Sequence, residues 1–197
     1  MKVLLNLKHW QLFALQLGPS LVAHFFLFGT LQSGASMRFA FVMFAVEMLF
    51  FAGTLFGWLY AVATGLHDAL PAGVSLHLKR FKTALFIPVF YIAAILTYLL
   101  SGVGAGALGG HVGLIALLVV PLHLFSMASI LYCLYFTAKS LKAVELQRPL
   151  DLSDYLGELF LIWFFPIGVW LIQPRVNALF KATPLASTRS NSEQTGV

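Results

Sequence analysis

The chain has 197 residues, 60% of them hydrophobic and 10% charged, with a formal net charge of +5 and a mean hydropathy of +0.90. Soluble domains average about 45–50% apolar and about 25% charged residues, so a water-soluble fold is excluded and the solvent implied for most of the chain is lipid. The twelve Lys and Arg lie in short clusters between apolar runs, which is the pattern of cytoplasmic loops rather than of a nucleic-acid surface, and the single cysteine, Cys133, excludes an intrachain disulfide.

The first apolar run, 10–31, follows Lys2 and Lys8 and so imitates a secretory signal. It continues past the length of such a signal and shows no small-residue cleavage site, which predicts an uncleaved first helix. It places Gln16, Ser20 and His24 at i, i+4 and i+8, one polar stripe on one face. The short "QSGASM" (32–37) makes the second run, 39–64, an antiparallel neighbour. Glu47 in that run and His24 both fall ~10–13 Å from the same end at 1.5 Å per residue, so a His24–Glu47 hydrogen bond is expected. The second run also carries Gly53, Gly57, Ala61 and Gly65. This small-residue ridge invites close approach of a helix from the same chain or from another copy.

"HDALPAGVSLHLKRFK" (67–82) contains Lys79, Arg80 and Lys82 and marks a cytoplasmic loop. Its His67, Asp68 and His77 do not have the spacing of a dedicated metal site. The third run, 83–101, carries Tyr91 and Tyr98 on one side. The uncharged "SGVGAGALGG" (101–110) belongs outside the cell. Its "GAGALG" spells G-x-G-x-x-G but follows no strand, so it is not a dinucleotide site. In the fourth run, 112–137, Pro121 precedes His123, and Ser126, Cys133 and Thr137 fall near the face of His123. His123 is offset from His24 by about five residues in depth, which argues against bis-histidine haem; no cofactor and no metal is implied by any spacing. Lys139, Lys142 and Arg148 return the chain to the cytoplasmic side. Trp10, Trp58, Tyr60, Tyr98, Tyr132, Tyr135 and Tyr155 are expected in the interfacial aromatic belts.

The fifth run, 155–172, is apolar but interrupted. A single crossing would put Arg175, Lys181 and Arg189 outside, against the positive-inside rule. A break at "FPIG" (165–168) with a return, or a course in the membrane plane, keeps them inside, and Pro166 and Gly168 suit such a break. A single kinked crossing is the alternative. After Pro174, "RVNALFK" reads as a short interfacial helix, and 183–197 as a disordered polar tail.

The stretch "DYLGELFLIWFFPIGVWLIQPRVNALF" (154–180) resembles a segment of small uncharacterised multi-pass bacterial inner-membrane proteins, in its Pro-Ile-Gly break and its Ile-Gln-Pro-Arg-hydrophobic-Asn end. The resemblance implies a bacterial inner-membrane protein and no particular activity. Glu158, Trp163, Pro166, Gly168, Gln173, Arg175 and Asn177 are the residues of this segment to test.

The fold class expected is an all-α polytopic bundle, four transmembrane helices plus the broken fifth segment, forming one membrane domain over 1–182 with its N-terminus cytoplasmic. The leading functional reading is a non-enzymatic accessory, assembly or regulatory subunit whose partners are the lipid bilayer and another membrane protein or a second copy. A second reading is a small transporter or channel subunit with a polar path through Gln16, Ser20, His24, Glu47 and His123, with Tyr91 nearby, since ionisable residues inside a membrane are functional candidates by default. A third is a lipid-acting enzyme using His67, Asp68 and His77.

Overall fold

The computed structural model describes residues 2–32, 37–101 and 112–182. The order is α1 (Lys2–Asn6), α2 (His9–Gln32), α3 (Met37–Leu66), a 3-10 turn (His67–Ala69), α4 (Leu78–Leu100), α5 (Val112–Leu146), α6 (Leu152–Trp163) and α7 (Phe165–Ala182). Among the described residues no strand occurs. Four helices are long and apolar enough to cross a membrane, over His9–Gly29, Phe39–Ala69, Leu78–Tyr98 and Leu117–Leu146. These contain or overlap the four runs expected from the sequence. Residues 102–111, most of the loop expected outside the cell, together with most of "QSGASM" and the tail at 183–197, lie outside the described residues.

The fifth run does not form one helix. α6 starts with a reciprocal capping box between Asp151 and Asp154, and Arg148 donates two hydrogen bonds to the Asp154 carboxylate, at 2.9 and 3.0 Å. Beyond Trp163 the helix cannot continue, because Pro166 has no N–H to offer the Ile162 carbonyl. Phe164 takes up a non-helical conformation, φ −91° and ψ 52°. α7 then begins at Phe165 with Pro166 in its first turn, where a missing donor costs nothing. The break thus falls one residue before the expected "FPIG". α7 runs unbroken through Pro174 to Ala182, so the short separate helix expected after Pro174 is instead its second half.

Two compact units divide the chain. One comprises Met1–Phe13, Gly57–Leu78 and Leu134–Val197. It has a dense core in which Leu12, Trp58, Leu59, Phe136, Leu141 and Val176 are fully buried. α7 packs on α6 and on α1 within it. At Gly168 the α6–α7 approach is so close that a Cβ would land on the Leu161 carbonyl, which explains the glycine. The other unit comprises Ala14–Phe56 and Lys79–Cys133. Its helical stretches, about 19 to 22 residues each, are ~29–33 Å long, the thickness of a hydrocarbon core. Large apolar side chains point outward from them, Phe25 at 80% exposure and Phe90 at 74%. Such surface is unfavourable in water and is what lipid solvates.

Candidate functional site

The polar residues of the C-terminal segment converge in the first unit. Lys142 and Glu145 stand near the end of α5, Glu158 on α6 and Arg175 on α7. Lys142 Nζ lies 3.1 Å from Glu158 and 3.5 Å from Glu145. Arg175 Nε donates to Glu145 at 2.7 Å, its Nη2 donates to Glu158 at 2.8 Å, and Nη2 also pairs with the second Glu145 oxygen. Two cations and two carboxylates therefore close a neutral ring across three helices. The Glu158 side chain is 9% exposed. Burial by itself pushes its carboxyl pKa up, but hydrogen bonds from Arg175 and Lys142 outweigh that and hold it below the usual carboxylate range. The hydrogen bond to Glu145 raises the Arg175 pKa above its ordinary value against the opposing effect of burial, and the bond to Glu158 adds to it.

Beside the ring sits an amide hub. Gln173 is fully buried. Trp58 Nε1 donates to its Oε1 at 2.7 Å, and because an indole N–H only donates, this bond fixes which way the amide points. Gln173 Nε2 then faces the Leu7 carbonyl at 2.9 Å, the Asn177 Oδ1 at 3.0 Å and the Leu4 carbonyl at 3.2 Å. Asn177 Nδ2 donates to Leu7 O at 3.2 Å. The carbonyls at the end of α1, which have no partners within so short a helix, are thus capped by side chains from α7.

Of the C-terminal candidates, Glu158, Gln173, Arg175 and Asn177 are brought together, and Pro166 and Gly168 shape the turn that does so. Trp163 is not part of the node; it is about half exposed on α6. Trp58 is the residue the sequence reading misplaced: it is expected in an interfacial belt but is fully buried under Phe165, ring centroids 5.1 Å apart. Trp58 and Gln173 are 115 positions apart, and no local pattern links them. The small-residue ridge finds its neighbours within the chain at two positions. A Cβ on Gly57 would meet Leu4 of α1 at 3.2 Å, and one on Gly65 would meet Phe180 of α7 at 2.5 Å. Ala61 is buried, whereas Gly53 has nothing within 4 Å.

The second unit holds the intramembrane candidates as separate groups. His24 and Glu47 do meet, Nδ1 to Oε2 at 3.6 Å, which is ion-pair rather than hydrogen-bond distance. The His24 Nδ1 lies 2.8 Å from the Ser20 carbonyl; a carbonyl only accepts, so this nitrogen carries the proton. His123 pairs instead with Tyr91, Nδ1 to hydroxyl at 3.1 Å. Along α5, His123 is exposed while Ser126, Cys133 and Thr137 are buried. Gln16 is fully buried, and neither atom of its amide has a hydrogen-bond partner among the described residues. In the first unit, Asp68 and His77 are exposed and the Nδ1 of His67 is buried without a partner. Among the described residues no three His, Cys, Asp or Glu side chains are placed to hold a metal.

Compared with protein-family models, curated proteins and solved structures, the chain matches none.

Proposed function

We propose that the chain is a non-enzymatic subunit of a bacterial inner-membrane system, one that assembles with or regulates another membrane component, with its N-terminus in the cytoplasm. The observation that carries this reading is the internal neutralisation of the C-terminal polar groups. Glu145, Glu158, Lys142 and Arg175 engage one another, and Gln173 and Asn177 engage α1 and Trp58. These groups hold helices in place and present no open polar site to a substrate. What α6 presents outward is largely apolar. On α6, Leu152, Leu156, Phe160 and Trp163 are exposed at helical spacing, while Tyr155, Glu158 and Ile162 are buried. That division supports a helix lying in the membrane interface, with Trp163 at the headgroup level. The resemblance of residues 154–180 to small bacterial inner-membrane proteins agrees with this assignment.

A native mass spectrum of the protein, released gently from its own membrane, tests the reading. The expected result is a second polypeptide at fixed stoichiometry. A second reading is favoured by one observation, the unpartnered buried amide of Gln16, which suits a polar solute or proton path shared with His24 and Glu47. A bare chain in the spectrum, together with a Glu47→Gln variant that accumulates normally but fails to complement a deletion, would replace the subunit reading with that one.

A further inference from the structure

Within the second unit, the α4–α5 face changes character along its length. At one end a groove of about 480 Å³ is lined by Lys79 and Arg80 of α4 together with Ser129 and Tyr132 of α5. It adjoins a second groove of about 730 Å³, and the two share Thr83, Ile87 and Phe125. The second groove is walled by Phe86, Phe90, Ala93 and Leu122 and carries no charged side chain. Lys79 and Arg80 are exposed, and neither has a carboxylate within ion-pair distance among the described residues. The hydroxyls beside them already donate along their own helices, Thr83 to the Lys79 carbonyl at 3.1 Å and Ser129 to the Phe125 carbonyl at 2.9 Å. Uncompensated positive charge therefore sits at the mouth of a groove that is otherwise hydrocarbon.

We propose that this face binds an acidic phospholipid, its phosphate between Lys79 and Arg80 and one acyl chain along the Phe86–Phe90–Ala93 wall. The dimensions agree: from Lys79 to Ala93 the helix rises about 21 Å, roughly one leaflet of a ~30 Å core plus the headgroup level. The charge also agrees, because basic side chains where a helix meets the membrane surface are attracted to anionic headgroups. A zwitterionic lipid meets the same apolar wall but gains little from the two cations. A partner helix, the other occupant an apolar groove admits, gives no reason for a paired cationic mouth.

The test uses the full chain in bilayer discs of equimolar phosphatidylglycerol and phosphatidylcholine, read by native mass spectrometry for the lipid that stays bound. The expected result is retained phosphatidylglycerol in at least fivefold excess, unaffected by added inorganic phosphate. The Lys79→Ala/Arg80→Ala double variant brings the ratio close to one. Ala93→Trp, which fills the groove, lowers retention of both lipids. Lys8→Ala/Lys181→Ala, which removes two exposed cations elsewhere, leaves the ratio unchanged. Equal retention of the two lipids by the unaltered chain overturns the proposal without need of any variant. So does an equal loss in the Lys8/Lys181 control, which marks diffuse attraction, or a polypeptide in place of lipid at the groove.

Discussion

Arg175 is the residue on which the ring depends. It alone donates to both carboxylates with a planar fork, two bonds to Glu145 and one to Glu158. Arg175→Met leaves Glu145 and Glu158, 17% and 9% exposed, with Lys142 as their only counter-charge among the described residues. Stranding a mostly buried carboxylate costs about 3–5 kcal/mol when it is fully enclosed; partial exposure here brings the expected loss to about 2 kcal/mol, readable as a lowered unfolding temperature in mild detergent. Arg175→Lys keeps the charge but loses the fork, and about half of that loss is expected. Acid acts on the same ring. The Glu158 pKa is lower in the folded chain than in the unfolded one, so its contribution is complete at neutral pH and is lost as pH falls through the folded value. Asp154, held low chiefly by its hydrogen bonds from Arg148 and from the Asp151 backbone, follows the same sign. Thermal stability is therefore expected to be flat from pH 7 to about 5 and to fall below pH ~4, more shallowly in Glu158→Gln. An unaltered chain whose unfolding temperature does not fall in acid would contradict the ring.

At the scale of the element, the α6–α7 corner is made by two residues acting differently. Pro166 ends α6 by withholding a donor, and Gly168 lets α7 pass over the Leu161 carbonyl. Gly168→Ala forces backbone against backbone, which no rotamer change relieves, so a loss of about 2–3 kcal/mol is expected. Gly53→Ala on the ridge, with open space around it, is expected to change the unfolding temperature by little. A reversed ranking of the two variants would show that the corner is not the tight contact. The break was legible in the sequence because proline and glycine act locally. α1 was not, since five residues are too few for a periodicity and its capping partners lie 166 to 170 positions away.

For the whole molecule, the four candidate spans could be read from the sequence because length and hydropathy alone define them. The pairing of His24 with Glu47 followed from equal depth on neighbouring helices. The burial of Trp58 did not, because an amphipathic ring suits an interface and an enclosed hydrogen bond equally, and only the fold chooses. Topology extends the argument. α7 caps α1 through Gln173 and Asn177, Arg175 binds the end of α5, and Phe180 lies over Gly65 near the end of α3. Residues 173–180 therefore share the side of the N-terminal helix. With the N-terminus cytoplasmic, as proposed, a phosphatase active only outside the cytoplasm and fused after Val197 is expected to be silent; strong activity would mean that the N-terminus lies outside or that the fifth run crosses.

The cap on α1 has a consequence for synthesis. Its carbonyls find their partners only when residues 173 and 177 have been made, at the far end of the chain. At roughly 5–20 residues per second, that delay is about 10–30 s. During it the first helix can pack on α3, where Leu4 lies against Gly57, but its carbonyls still lack these partners and water or a chaperone must solvate them. Damage to the last helix would therefore surface as exposure of the first, so a lesion near residue 173 and a protease-sensitive site near residue 5 would be one defect seen from two ends.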